Sequence, residues 1–245
     1  MQVRIVYVHH NCFLLHAGAR TFLFDYPDSS HRPRSAEALV RREAAGRELW
    51  IMASHGHADH FTPEIMDLRD AGASVRYVLS YDIAEMHQEL DPEFEDAMHG
   101  VTIVEPDEKY EVEGLPIACL ESTDLGVGFV LDLGGKRVWF GGDVAEWSWE
   151  GADERARRFS EEHYAGVLAQ LGNKPVDLAF SNADPRMPSW AGGKFFVERI
   201  RPRYFVPMHA FGDTRAVARF IAEAATPGVE MFAYQAMGDA WEIEL

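Results

Sequence analysis

The sequence predicts an α/β domain of two stacked sheets with helices outside, and three observations predict it. Short β-branched and aromatic runs come first in each half of the 245-residue chain. Helical patterns follow them in each half, and no linker or low-complexity tract separates the halves, so residues 1–245 read as one domain.

The first three runs, VRIVYV (3–8), CFLLH (12–16) and TFLFD (21–25), are joined by short polar or glycine-containing links and read as adjacent strands. LWIMA (49–53) and VRYVLS (75–80) are further strands, with helical patterns at about 35–45, 63–71 and 82–89. Thr62-Pro63 suits a helix start, because the hydroxyl can cap and the missing proline N–H is not needed at the first helical position. A second β-rich stretch comprises GVTIVEP, KYEVEG, LPIACLES, GVGFVLDL and RVWFGGD, the last two joined through Gly134-Gly135, a hairpin signal. A long helix over about 152–171 follows, with Phe159, His163, Val167 and Leu171 at four-residue spacing. The strand VDLAFS (176–181), a helix near 192–200, the strand RYFVPM (203–208), a helix near 213–224 and closing strands near 230–234 and 241–244 complete the pattern.

Lys and Arg total 23 against 40 Asp and Glu, a net charge of −17, which argues against a general nucleic-acid surface and favours a small-molecule partner. The arginines at 32–47 and 155–158 alternate with acids or alanines and read as solvated helix faces. Cys12 and Cys119 each lie in an apolar run, which fits two buried thiols in a reducing compartment. No window approaches the roughly 18 apolar residues of a membrane span, and the N-terminal stretch lacks a signal-peptide core, so no membrane partner and a cytoplasmic location are expected.

The chemistry concentrates in SHGHADHF (54–61), directly after LWIMA. His55 and His57 are two apart, so in an extended segment both rings point to one side, while Asp59 and His60 lie where the chain turns away. One loop therefore offers three imidazoles and a carboxylate, a donor set for zinc, iron or manganese. Asp143 ends the strand RVWF after two glycines, and His209 ends RYFVPM. Ligand-type residues thus recur at three strand ends.

SHGHADH, FGGD and VPMHA, in this order and spacing, resemble the metallo-β-lactamase superfamily. Within it, HHNCF, FDYP and the STD segment resemble the lactonase-like hydrolase branch related to ascorbate-phosphate lactonase. The resemblance implies an αββα four-layer sandwich of two mixed sheets flanked by helices, with one or two divalent transition-metal ions, zinc first, with manganese or iron as alternatives. It implies that His55 and His57 bind the first metal, that Asp59, His60 and His209 bind the second, and that Asp143 bridges. The superfamily's further first-site histidine, expected after the strand matching LPIACLE, is replaced by Glu121-Ser122-Thr123-Asp124. Asp124 is either an oxygen ligand there or an ordinary turn acid, with water completing the site; loss of a nitrogen donor shifts preference towards harder ions.

The implied activity is a metal-dependent hydrolase in which a metal-bound hydroxide attacks a small anionic ester, lactone or phosphoester, with Asp59 orienting the water and taking its proton. His10 is either near the centre, as the branch resemblance implies, or a core or turn histidine. Arg186, in Asp184-Pro185-Arg186 after VDLAFS, is either a fork for a carboxylate or phosphate on the substrate or a solvated turn residue. Trp147 and Trp149 either wall a pocket or fill the space beneath the long helix. The alternatives to this activity are a non-catalytic metal-binding or regulatory protein, motivated by the replaced histidine, and a phosphodiesterase or nuclease.

Overall fold

The computed structural model describes residues 1–88 and 100–245, so the end of the helix expected at 82–89 and His99 lie outside the described residues. Two compact units result: Met1–Glu105 together with Ala236–Leu245, and Pro106–Gln235. Each is built on a seven-stranded sheet that is antiparallel on one side and parallel on the other.

In the first unit, numbering strands in chain order, β1 (Gln2–His9), β2 (Cys12–Ala17) and β3 (Arg20–Phe24) form the expected antiparallel meander. β4 (Glu48–Ala53), β5 (Ser74–Ser80) and β6 (Val101–Val104) extend it in parallel, and β14 (Ala240–Glu244) closes it along β1. The run GVTIVEP and the last strand of the chain thus both belong to the first sheet. The helix α1 (Ala36–Ala44) buries Ala36, Leu39, Val40 and Ala44 among Val6, Val8, Leu14, Leu23 and Ile51, the helix-side residues of the strands. The helix α2 (Tyr81–Gln88) begins directly after β5.

The helix expected at 63–71 is present as the 3-10 helix Pro63–Asp70. Its buried positions explain the helix type: Ile65, Leu68 and Ala71 recur every third residue, the repeat of a helix with three residues per turn. Thr62 does cap it, accepting from the Glu64 N–H.

The second unit contains β7 (Lys109–Val112), β8 (Leu115–Glu121), β9 (Val127–Asp132) and β10 (Arg137–Phe140) as an antiparallel ribbon. β11 (Leu178–Asn182), β12 (Tyr204–Met208) and the two-residue β13 (Glu230–Met231) continue in parallel from β10. Gly134 and Gly135, with φ of 68° and 87°, make the two-residue turn between β9 and β10, closed by the Leu133 N–H donating to the Lys136 carbonyl at 2.9 Å. Three helices follow, α3 (Glu154–Leu171), α4 (Gly193–Ile200) and α5 (Thr214–Glu223), and they pack with Val130, Trp139, Ala179 and Phe205. On α3 the buried stripe is Tyr164, Val167, Leu168 and Leu171; Phe159, expected to belong to it, is 68% exposed. The inward face runs along the three- and four-residue spacing from Tyr164, and Phe159 lies outside it.

Both cysteines are buried free thiols. Among the described residues, no helix is long and apolar enough to cross a membrane. For function, the strand directions matter most. β1, β3, β4 and β5 run the same way, so their C-terminal ends share one edge of the first sheet, as do those of β8, β10, β11 and β12 in the second.

Candidate metal centre

In the first unit each of these strand ends carries a polar side chain. His10 follows β1, Asp25 follows β3, Ser54 to His60 follow β4, and Asp82 stands at the start of α2. Asp25 is wholly buried and accepts from the Ser54 N–H at 2.8 Å, the Ser54 hydroxyl at 2.9 Å and His60 Nδ1 at 2.7 Å. Burial pushes its carboxyl up, and the bonds from His60 and Ser54 oppose the shift. With Nδ1 so engaged, the lone pair of His60 is on Nε2, the atom a metal would take.

His10 Nε2 lies 3.3 Å from Asp59 Oδ2, and His60 Nε2 lies 3.8 Å from the same oxygen. His55 Nε2 is 3.0 Å from His57 Nδ1. The backbone of this loop is held by Asp82, which accepts from the Gly56 N–H at 2.7 Å. A Cβ there would stand 2.9 Å from Met86 Sδ and 3.2 Å from Asp82 Oδ2, so any larger residue would have to displace the Met86 side chain and crowd Asp82.

In the second unit, Asp143 follows β10, Asp184 follows β11 and His209 follows β12. His209 Nε2 lies 3.2 Å from Asp143 Oδ1, while its Nδ1 lies 3.0 Å from Asp184 Oδ2. Burial works against the imidazolium, yet Asp143 and Asp184 together push His209 up to about 9. Asp184 is itself opposed by burial but drawn down to about 2 by His209 and Arg186. The Thr123 hydroxyl ties the loop after β8 to the loop after β10, donating to the Asp143 and Ala145 carbonyls at 3.1 and 2.7 Å. Asp124 and Asp143 each offer a carboxylate oxygen, the two within 4.8 Å of each other.

These separations fit cation binding. Donors about 2.1 Å from one tetrahedral ion stand roughly 3.4 Å apart. The His10–Asp59 and His209–Asp143 contacts, at 3.3 and 3.2 Å, match that spacing, and the donors are the nitrogens and carboxylate oxygens that transition metals take. Backbone conformation points the same way: His10, Asp25 and His209 adopt φ of 53°, 41° and 66°. Left-handed φ costs a side-chain-bearing residue about 1–2 kcal/mol. Three strand ends accept that cost where their side chains turn to polar partners.

Of the residues singled out from sequence, His10, His55, His57, Asp59 and His60 lie together at the edge of the first sheet, and Asp124, Asp143 and His209 at the edge of the second. Glu121 lies 3.6 Å from His163 on α3. Arg186 is bound to Asp184, Nη2 to Oδ2 at 2.6 Å and Nε to both carboxylate oxygens. Trp147 donates its Nε1–H to the Asp143 carbonyl at 3.1 Å and meets the His209 ring edge-on at 5.4 Å, whereas Trp149 is 46% exposed. Trp147 packs against Ala145, Met187 and Ala191. Sequence reasoning missed the roles of Asp25, Ser54, Asp82 and Asp184. The signal common to three of them was an acid one or two residues beyond the end of an apolar strand.

The chain is similar to known proteins along much of its length. A family model described as a beta-lactamase superfamily domain matches residues 21–163. A UPF0173 metal-dependent hydrolase of Korarchaeum cryptofilum is 31% identical over 148 residues, which are 58% of this chain and 60% of that protein. The alignment thus spans about three-fifths of the curated relative. Igni18, a metallo hydrolase from Ignicoccus hospitalis, superposes with a TM-score of 0.67 at 14% identity, covering 100% of both chains. The metallo-beta-lactamase fold protein YhfI from Bacillus subtilis gives 0.61 at 13% identity, covering 99% of this chain and 100% of its own. The family match runs through Asp25, the histidine loop, Asp124 and Asp143: this chain belongs to the beta-lactamase superfamily domain family and has the metallo-β-lactamase fold.

Proposed function

We propose that this protein is a metal-dependent hydrolase of a small anionic ester, lactone or phosphoester. The observation that carries the reading is the convergence of nitrogen and carboxylate donors at strand ends: His55 with His57, Asp59 with His60, and Asp124 with Asp143 each offer ligand atoms within 4.8 Å of each other. The proposed ligands are His55, His57, Asp59 and His60 in the first unit and Asp124, Asp143 and His209 in the second. Zinc suits this mixed set best, and the oxygen donor Asp124 in place of a histidine leaves room for manganese or iron. When bound, a divalent ion supplies a Lewis acid that brings the pKa of water to about 7 and polarises a substrate oxygen.

The chain's own groups do the remaining work. Asp59 is the proton acceptor: its side chain is 24% exposed, so water reaches it, and Oδ2 faces His10 and His60. Asp25 and Asp184 hold the tautomers of His60 and His209 by accepting from Nδ1. The net charge of −17 favours a small substrate over a nucleic acid.

Elemental analysis of purified protein should find about one or two transition-metal ions per chain, the stoichiometry the donor count supports. On a panel of lactones and model phosphoesters, Asp59→Asn should lower kcat by at least about 100-fold, the usual worth of a positioned proton acceptor. Metal uptake with no turnover by wild type on any substrate would favour the non-catalytic metal-binding reading; no metal uptake would sink both.

A further inference from the structure

The loop after β11 presents a cation in an unusual setting. Arg186 is fixed on one edge by Asp184, which takes Nε at 2.9 and 3.0 Å and Nη2 at 2.6 Å, and also accepts the Arg186 backbone N–H at 2.8 Å. Two aromatic rings flank the guanidinium: its carbon lies 4.2 Å from the Phe211 centroid and 5.2 Å from that of Trp149. Among the described residues none accepts from Nη1, and 46% of the Arg186 side chain faces solvent. Trp149 and Phe211 are themselves 46% and 40% exposed.

Ordinary burial does not explain this group. A tryptophan and a phenylalanine each bury 150–250 Å² when packed, and leaving both half open forgoes much of that gain. Apolar rings clustered around a charged group mark binding surfaces. Arginine loses rotamer freedom on binding, yet Asp184 and the two rings already hold this one in place, so a ligand would not bear that cost. The surroundings reinforce the fixing: Trp149 stacks on Trp147 at 6.1 Å, Phe211 meets the His209 ring edge-on at 5.1 Å, and Phe211 adopts a φ of 47°. Asp184 balances the charge of Arg186 on one edge, while the Nη1 side of the guanidinium keeps N–H donors set between two aromatic rings.

We propose that Arg186, Trp149 and Phe211 form a substrate subsite for a carboxylate or phosphoryl group carried on an apolar, ring-sized body. The anionic group meets the Nη1 side of Arg186, opposite the Asp184 edge, and the body lies along the rims of Trp149 and Phe211. That the ligand is a substrate rests on the hydrolase reading, and the subsite itself stands or falls on binding alone. Because Asp184 also accepts from His209, the carboxylate that fixes the anion-binding fork also fixes one proposed metal ligand.

The test compares binding of phenylphosphonate and methylphosphonate to the metal-loaded protein by calorimetry. Wild type should bind phenylphosphonate about tenfold tighter, the gain from covering the extra ring carbons. Trp149→Ala combined with Phe211→Ala should remove that advantage and leave methylphosphonate affinity within about twofold, while Arg186→Gln should weaken both probes about tenfold or more. Equal affinity for the two probes in wild type, or a phenyl advantage that survives the double substitution, overturns the proposal. Hydrolysis of panel substrates without a phenyl advantage would refute the subsite and leave the hydrolase reading standing; a phenyl advantage without hydrolysis would do the reverse.

Discussion

Two carboxylates, Asp25 and Asp184, each orient a histidine from beneath: the first accepts from His60 and the second from His209. Such partners fix which ring nitrogen carries the proton and so which is left to bind. Neither role was legible in sequence, because each acid is one residue at the end of a strand and its histidine lies 35 or 25 residues away. SHGHADH was legible for the opposite reason, with its donors contiguous. A third histidine carries a different consequence. His16 is half-buried between Thr21 and Glu43, and burial, reinforced by Arg47, pushes it down to about 4. Its ordinary value is 6.5, so between pH 6.5 and 4 the unfolded chain binds the proton and the folded chain does not. Stability at His16 is therefore full above pH 6.5 and declines as the pH falls towards 4. After allowance for solvent screening the loss is on the order of 1–2 kcal/mol. Urea midpoints measured at pH 7 and pH 4.5 should fall further in wild type than in His16→Gln. An equal fall in both would assign the acid response to other groups.

Elements were legible where periodicity and punctuation agreed. The meander of β1, β2 and β3 and the Gly134-Gly135 turn follow from alternating apolar residues and glycines at positive φ. Spacing alone left one helix type open and misplaced one residue. The segment Pro63–Asp70 has an apolar repeat of three, which a helical pattern of three and four absorbs too readily. Phe159 fits a four-residue stripe on α3 but lies off the face that Tyr164 and Leu168 bury. Close packing between elements was invisible from sequence, and Gly128 shows it best. On β9 this glycine lies under the fully buried Trp139 of β10, and a Cβ there would stand 2.2 Å from the ring. Gly128→Ala should destabilise the protein by about 3 kcal/mol, the cost of overpacking a filled core. Combining it with Trp139→Phe should recover part of the loss, measured as a non-additive shift in chemical denaturation.

Across the whole molecule, the metal reading ties activity to stability. An ion that binds only the folded chain adds about 4 kcal/mol when present at a thousand times its Kd. For a chain of this size each kcal/mol moves Tm by about 2–4 °C. Chelation should therefore lower Tm by roughly 8–16 °C and abolish turnover, and added zinc or manganese should restore both, as followed by calorimetry and the substrate panel. Chelation that leaves Tm and turnover unchanged would remove the metal from the proposed function. The architecture was legible in sequence as strands before helices in each half, but the membership of its sheets was not. GVTIVEP sits among second-half strands in the sequence yet pairs with β5, because pairing depends on long-range register that local pattern does not encode.

The pairing of β14 with β1, Val3 opposite Ile243 and Ile5 opposite Trp241, also sets an order of events during biosynthesis. β1 is synthesised well before β14, and at about 5–20 residues per second the chain between them takes roughly 10–50 s. Throughout that interval, one edge of the first sheet offers unpaired backbone groups to any passing strand. An edge left open for that long is a route to aggregation, and the arrival of β14 closes it.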